Sequence, residues 1–173
     1  MVNRELSVRA AVAPWEPVPR FEAPGAEAAR LLAEVWSAAE AELSQAGAVC
    51  RSCGRCCDFR RAEHVLFAAK VELDVCLGWA GERLRLSRAA AERALAEGLC
   101  PLWQGGLCRA RPVRPLGCRL YFCGAPGAQA AERLSAAAHR RLAAVSRRAG
   151  AAWWYGPALA YFRNNVDTLS AAE

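Results

Sequence analysis

Cysteine residues fall into two groups along this 173-residue chain. The first group is a run of four within eight residues, and the second is spread over 24 residues: Cys50-Arg-Ser-Cys53-Gly-Arg-Cys56-Cys57, then Cys100, Cys108, Cys118 and Cys123. A C-x2-C-x2-C-C loop crowds several sulfurs within a few ångströms of one another. Such crowding is typical of a metal ion, an iron–sulfur cluster or oxidation chemistry. The sequence therefore predicts a metal site.

The spacing within the first group restricts how its sulfurs can be shared. A C-x2-C pair reaches one metal across a tight turn, and Gly54 relieves crowding where the backbone folds back. Cys56 and Cys57 are neighbours, so their side chains diverge and serve two sites, or two atoms of one cluster, more easily than one ion. The second group must fold back to meet the first. Eight thiols allow two tetrathiolate sites, or one four-cysteine cluster with spare thiols, and the pairing stays open.

Zinc and an iron–sulfur cluster both fit this ligand set. Zinc takes four ligands, with sulfur at about 2.3 Å, and clusters also take four thiolates. Cys100-Pro101 is typical of ferredoxin-type loops, in which proline follows a ligand. Disulfides fit poorly, because nine cysteines is an odd number and two of them are adjacent. Coincidental buried cysteine is the remaining alternative.

These motifs resemble the YkgJ-like cysteine-cluster proteins, a family described as zinc- or iron-chelating. Besides the C-x-x-C-x-x-C-C run, the resemblance rests on Cys100-Pro-Leu, Cys108, the Arg-Pro pairs at 111–112 and 114–115, and Cys118-Arg-Leu-Tyr-Phe-Cys123. It spans roughly residues 50–123. The resemblance implies that all eight cysteines are ligand candidates, and it implies no particular reaction. A related pattern occurs in flagellin lysine methylases, a more distant option.

The other potential ligands have weaker patterns. Cys76 lies in an apolar run, Val71 to Trp79, and we interpret it as a core residue. His64 and His139 have no spaced partner, so we expect structural or exposed roles. His64 is the better ligand candidate of the two, because it lies seven residues after Cys57. We expect Trp103, Tyr121 and Phe122 to shield the site from water.

Arginine accompanies both cysteine groups. The positions are Arg51, Arg55, Arg60, Arg61, Arg109, Arg111, Arg114 and Arg119. Guanidiniums near a metal tetrathiolate would offset its negative charge and donate hydrogen bonds to sulfur. Solvated surface arginine is the alternative interpretation. The net charge of +6 would allow acidic partners or nucleic acid, but the arginines are scattered and the spacing differs from that of zinc knuckles.

We therefore expect a metal-binding protein that holds an iron–sulfur cluster or zinc and has a redox or electron-transfer role. The alternatives are a cluster-dependent protein-modifying enzyme and a zinc-stabilised interaction module. Because the chain has no phosphate-binding loop and no nucleophile elbow, any catalysis would depend on the metal. The expected partners are the metal and a protein, and neither a membrane nor nucleic acid is expected. The first 20 residues show no signal-peptide core, so we expect a cytoplasmic location.

The elements that position these cysteines are predicted to be mainly helical. Residues 1–24 form a proline-rich extended arm, pinned by Trp15 and Phe21, and residues 25–173 form a single cysteine-cluster domain. Apolar spacing predicts helices over 25–46, 71–79, 87–98 and 128–149, with Ser87 as an N-cap. Short β pieces are expected at 64–68, around a Gly105-Gly106 turn and at 152–155, residues 157–165 add a last helical turn or two, and the segment 111–118 is predicted to be irregular. The predicted fold class is a small α+β domain with an irregular cysteine-lined core.

Overall fold

The computed structural model describes residues 17–121 and 127–169. Within these ranges the chain is mainly helical with two small antiparallel sheets, which confirms the predicted fold class. The helices are α1 (Ala26–Gln45), α2 (Lys70–Arg83), α3 (Arg88–Ala96), α4 (Leu116–Leu120), α5 (Ala128–Arg148), α6 (Ala158–Asn164) and α7 (Val166–Leu169). Strand β1 (Phe67–Ala69) pairs with β4 (Tyr155–Pro157), and β2 (Trp103–Gln104) pairs with β3 (Leu107–Cys108).

The two long helices, α1 and α5, pack against each other and form one apolar core. Each buries a single stripe of residues at helical spacing and exposes its charged side, as the sequence predicts. From α1 the buried side chains include Leu32, Trp36 and Leu43. From α5 they include Leu134 and Leu142. The backbone of Gly47, in the left-handed region at φ 74°, ends α1 and turns the chain toward the first cysteine group.

Helix α2 lies at the centre of the molecule and contributes to both apolar cores. It is longer than the predicted 71–79 segment, because charged residues extend it at both ends. Three of its charged side chains, Lys70, Glu72 and Asp74, are buried. Periodicity could not predict these positions, since charged residues are almost never fully buried without a partner. Each of these three side chains has an ion-pair or hydrogen-bond partner.

A buried ion pair within α2 attaches the segment before α1. The Lys70 Nζ lies 2.6 Å from Asp74 Oδ2 and 2.8 Å from Glu22 Oε2. The backbone amide of Glu22 donates to Asp74 Oδ1, and the amide of Phe21 donates to Asn165 Oδ1 at 2.7 Å. Residues 17–25 therefore run without regular structure along α2 and the C-terminal helices, held by polar contacts as well as by Phe21. Trp15, the other predicted pin, lies outside the described residues.

Several local signals in the sequence are confirmed. Ser87 Oγ accepts a hydrogen bond from the Ala90 amide at the start of α3, and Gly105-Gly106 forms the turn between β2 and β3. The long C-terminal helix and the final short helices also form. The β piece predicted at 152–155 begins only at Tyr155.

The prediction that residues 111–118 are irregular is wrong in part. Arg111–Val113 forms a 3-10 turn, and α4 begins at Leu116. The prolines start these helical pieces rather than prevent them: Pro112 lies in the first turn, and Pro115 is the N-cap of α4 with φ −55°. Proline is tolerated at such positions because its fixed φ suits the first helical turn and its missing N–H has no helical acceptor there.

The sequence predicts no membrane partner, and the length and composition of the helices bear on this prediction. None of the helices in the described ranges is long and apolar enough to cross a bilayer.

Candidate metal centre

The first cysteine group forms a tight loop that ends in a 3-10 turn over Arg55–Cys57. Gly54 precedes this turn in the left-handed region, with φ 69°. An added Cβ at Gly54 would lie 2.3 Å from the indole Nε1 of Trp103 and 2.5 Å from the Gly106 carbonyl oxygen. Glycine is therefore required at this position for two reasons: the left-handed backbone angle and the close approach of the β2–β3 hairpin.

Backbone hydrogen bonds attach the first cysteine group to the second. The Cys100 amide donates to the Cys57 carbonyl oxygen at 2.8 Å, and the Phe59 amide donates to the Gly98 carbonyl oxygen at 3.2 Å. Asp58 and Leu99 form the antiparallel bridge between these two bonds. Residues 39 to 43 positions apart in the chain thus become neighbours. The β2–β3 hairpin then returns Cys108 to the same place.

An open cavity of about 590 Å³ lies where the two groups meet. It is lined by six of the eight predicted ligands: Cys50, Cys53, Cys56, Cys57, Cys108 and Cys118. The seventh, Cys100, is buried and its thiol interacts with that of Cys57. The eighth, Cys123, lies outside the described residues. No disulfide joins two of the described cysteines.

The thiol of Cys57 is the centre of the sulfur contacts. Hydrogen bonds with the thiols of Cys100, Cys108 and Cys56, together with burial, raise the pKa of Cys57 far above its usual range. The same proton lowers the pKa of its partners: a hydrogen bond with Cys57 lowers the pKa of Cys56 to about 6 and that of Cys108 to about 7. One thiol proton is thus shared among sulfurs that would repel one another as thiolates. A metal cation would relieve the same repulsion.

Two arginines and a backbone amide surround the sulfur of Cys50. Arg111 Nη1 lies 3.4 Å and Arg114 Nη1 lies 3.5 Å from Cys50 Sγ. Burial acts to raise the pKa of Cys50, but the hydrogen bonds from Arg111, the Ser52 amide and Arg114 outweigh it and lower the pKa. The Ala110 amide likewise hydrogen-bonds Cys108. Amide donors two residues after a cysteine stabilise the thiolate form, which is the form that binds metal.

Cys118, on α4, is partly buried and lines the cavity beside the loop cysteines. Burial, followed by the nearby sulfurs of Cys100, Cys76 and Cys108, raises its pKa well above the usual value. Helix α4 is itself fixed by Glu72, whose carboxylate accepts hydrogen bonds from the Leu116 amide at 2.7 Å and from Trp36 Nε1 at 3.1 Å. The position of Cys118 therefore depends on a buried carboxylate of α2.

The cysteines are suitable ligands for a metal, although their sulfurs are arranged as hydrogen-bonded thiols and not around a common centre. In residues 17–121 and 127–169 no group of three or more His, Cys, Asp or Glu side chains has the arrangement that holds an ion. Sulfurs that share a proton point at one another, whereas ligands point at a common centre about 2.3 Å away. Binding would require loss of thiol protons and rotation of cysteine side chains.

An indole group beside the cysteine loop lacks a hydrogen-bond acceptor. Trp103 Nε1 is buried and unpartnered among the described residues, and it lies against Gly54. Leaving a buried N–H unpaired costs about 1–3 kcal/mol. A metal-bound thiolate or the sulfide of a cluster would be an acceptor of the kind this donor lacks. This orphaned donor is a second feature, beside the thiols, that fits a metal centre.

The eight arginines predicted to accompany the cysteines divide into three sets. Four of them line the cavity: Arg51, Arg55, Arg111 and Arg114. Arg119 instead turns into the fold, where it pairs with Glu40, donates to the Pro112 carbonyl oxygen at 2.8 Å and covers the ring of Trp36. The remaining three, Arg60, Arg61 and Arg109, are exposed.

The histidines and Cys76 have distinct surroundings. His64 Nε2 lies 3.1 Å from the Cys56 carbonyl oxygen, and its ring stacks on Tyr121, so it braces the cysteine loop through the backbone. His139 packs edge-on against Trp153 and Tyr155. Cys76 is buried in the core on α2. Burial first, then the sulfurs of Cys100 and Cys108, raises its pKa well above the usual value.

The sequence analysis did not identify Glu72 as a functional residue. Only one feature of the sequence indicates its role in holding α4 in place. A carboxylate between Val71 and Leu73, inside an apolar helical run, must find donors if it is buried. The identity of those donors, the Leu116 and Ala69 amides and the Trp36 indole, depends on the tertiary fold.

Comparison with known proteins identified no relative of this chain. No family model matches the chain, and no curated protein or solved structure is significantly similar to it. The resemblance to the cysteine-cluster family therefore stays a hypothesis based on motif spacing, and the function must be argued from the site itself.

Proposed function

We propose that this protein binds a metal through its clustered cysteines, as an iron–sulfur cluster or as zinc, and that with a cluster its role is redox chemistry or electron transfer. The observation that carries this proposal is the convergence of six cysteines from two distant groups on one cavity. Buried structural cysteines of a core pack against apolar side chains and need no donors. Here Cys50 is surrounded by two guanidiniums and an amide instead.

The residues around the thiols would each perform one task in such a site. The cysteines would hold the metal, while Arg111 and Arg114 would offset negative charge at Cys50. The hydrogen bond of His64 to the Cys56 carbonyl, together with the bridge to residues 98–100, would fix the loop. A bound cluster would supply one-electron redox chemistry, whereas zinc would supply structural rigidity or Lewis acidity.

Anaerobic purification followed by metal analysis and a visible spectrum tests the proposal. Iron and acid-labile sulfide with broad visible absorption would identify a cluster, and zinc without visible absorption would identify a zinc site. Replacement of Cys53 by serine should lower either metal content sharply. Protein that contains neither iron nor zinc above trace, and that takes up neither on anaerobic reconstitution, would refute the proposal.

The open cavity favours a second candidate, a cluster-dependent enzyme that modifies a protein. A closed structural zinc site fills every coordination position with a protein ligand, whereas a catalytic site keeps one open, and here Cys53 is exposed and the thiols face a cavity of about 590 Å³. Ligand cavities of about 300–1,000 Å³ accept small molecules or side chains. Perturbation of the visible or electron paramagnetic resonance spectrum by a small metal ligand, such as cyanide, would support an open coordination position.

A further inference from the structure

The mouth of the cysteine cavity is positively charged. Four arginines contribute to its lining, and none of the lining residues in the described ranges is Asp or Glu. Two of the arginines, Arg111 and Arg114, are engaged with the sulfur of Cys50, and Arg114 Nη2 also lies 3.5 Å from Glu40 Oε1. The other two, Arg51 and Arg55, belong to the cysteine loop and are exposed. Their guanidiniums are therefore the ones that an approaching molecule meets first.

Apolar side chains share this rim with the arginines. Val49 is 74% exposed and Leu107 is 49% exposed, and both line the cavity. Aliphatic side chains beside guanidiniums offer a protein partner both apolar and charged contacts. A small inorganic anion would have no use for them.

We propose that the rim of the cysteine cavity, formed by Arg51, Arg55, Val49 and Leu107, docks an acidic segment of a partner protein. Carboxylates of the partner would pair with the two exposed guanidiniums, and an apolar residue would cover Val49 or Leu107. This inference goes beyond the proposed function, because it assigns a binding partner to the rim. The rim would bind that partner whether it is an electron donor, an electron acceptor or a protein substrate. Complementary charge would mainly accelerate and orient the encounter.

The proposal predicts a specific pattern of binding to a defined peptide. The probe is a fluorescent peptide of alternating Glu and Leu residues, measured by anisotropy with protein as purified and of known metal content. The double substitution Arg51→Glu/Arg55→Glu should weaken binding at least about tenfold, since it reverses charge at the contact. The matched control is Arg140→Glu/Arg141→Glu, which changes net charge equally at two exposed arginines of α5. That control should bind within about twofold of the original protein.

Two further arms identify what the rim recognises. Substitution of Val49 and Leu107 by serine should weaken binding of the peptide several-fold. Citrate should displace the peptide only at a concentration far higher than that of the peptide. Absence of peptide binding, or equal weakening in both arginine double variants, would overturn the proposal. Citrate binding as tight as that of the peptide would also overturn it, because the rim would then be a small-anion site. Metal content measured on the same samples keeps this test separate from that of the metal site.

Discussion

The backbone amide of Cys100 donates a 2.8 Å hydrogen bond to the carbonyl oxygen of Cys57. This single bond joins the two cysteine groups at residues that are both metal-ligand candidates. Two consequences follow from it. The sulfurs of Cys57 and Cys100 are held within reach of each other before any metal binds, and residues 57–59 cannot move away from residues 98–100 without breaking the bridge at Asp58 and Leu99. The site is thus partly preorganised by backbone structure.

The first prediction separates the cysteines that we propose bind metal from the one that packs in the core. Replacement of Cys53 or Cys118 by serine should lower bound metal sharply and destabilise the fold, because binding free energy at a shared site is also folding free energy. Replacement of Cys76 by alanine should leave metal content unchanged and cost only about 1 kcal/mol of packing. Metal analysis and urea unfolding of the three variants measure both quantities.

Cys76 is a demanding control for this comparison. It lies close enough to Cys100 and Cys108 for their charges to affect its pKa, so general disturbance of the region would be visible in the Cys76 variant. If the alanine variant lost as much metal as the serine variants, the assignment of Cys76 to the core would be wrong.

A second prediction concerns the contact between Gly54 and the hairpin. Gly54→Ala should disrupt the loop, because the new Cβ would meet the Gly106 carbonyl oxygen at 2.5 Å in addition to the cost of a left-handed backbone. Gly105→Ala is the matched control: its φ of 57° is also left-handed, but nothing lies within 4 Å of the added Cβ. The control should lose about 1–2 kcal/mol of unfolding free energy.

The Gly54 variant should lose clearly more stability than the control and should also lose metal. Unfolding free energies and metal content of the two variants, measured side by side, give the comparison. Equal losses in both would show that backbone strain alone, and not the close approach of Trp103 and Gly106, determines the need for glycine at position 54.

The contrast between α1 and the segment after Cys108 explains how far the sequence predicts this fold. Helices α1 and α5 bury one stripe each, so their period is visible in the sequence and their bounds were predicted to within a residue or two. The 111–120 region has no such period. Its conformation depends on Arg119, which bonds the carbonyl oxygens of Pro112 and Arg114 from a position on the next helix.

The candidate site divides in the same way. The cysteines and their neighbouring arginines are local patterns, and the sequence identifies them as a group. Which arginine reaches which sulfur depends on chain segments more than 60 positions apart, as in Arg111 and Cys50. The same holds for Glu72, whose donors come from α1, from α4 and from the residue before α2. Pairings across the fold leave no trace in local spacing.

A third prediction uses the unpartnered indole of Trp103. Trp103→Phe removes a buried N–H that has no acceptor among the described residues, so the metal-free protein loses no hydrogen bond from it. If a metal-bound sulfur accepts from this N–H, the variant should hold metal less tightly than the original protein. Competition with a chelator, measured by the loss of metal over time and at equilibrium, provides the comparison.

The control for this prediction is Trp79→Phe, which changes a half-buried tryptophan of α2 whose ring lies beneath Arg83. It should leave metal retention unchanged. Equal metal retention in the Trp103 variant would mean that the indole N–H has no part in the metal centre.

The last prediction concerns pH and the buried carboxyl of Glu72. Burial raises the pKa of Glu72 above its ordinary value of 4.5, against the opposing effect of its hydrogen bonds from Leu116, Trp36 and Ala69. The folded protein therefore holds this proton more tightly than the unfolded chain. The associated stability is complete below pH 4.5 and is lost as the pH rises through the folded-state pKa.

Glu72→Gln removes this titration, so the stability advantage of the original protein over the variant should shrink as the pH rises above 4.5. Glu22→Gln is the opposite case, because its hydrogen bond with Lys70 lowers the pKa of Glu22 and the stability it contributes is lost as the pH falls. Urea unfolding of the three proteins across this pH range gives the differences, and effects on metal binding common to all three cancel. A stability difference for Glu72→Gln that grows with pH would show that the three donors, rather than burial, control this carboxyl and keep it ionised in the fold.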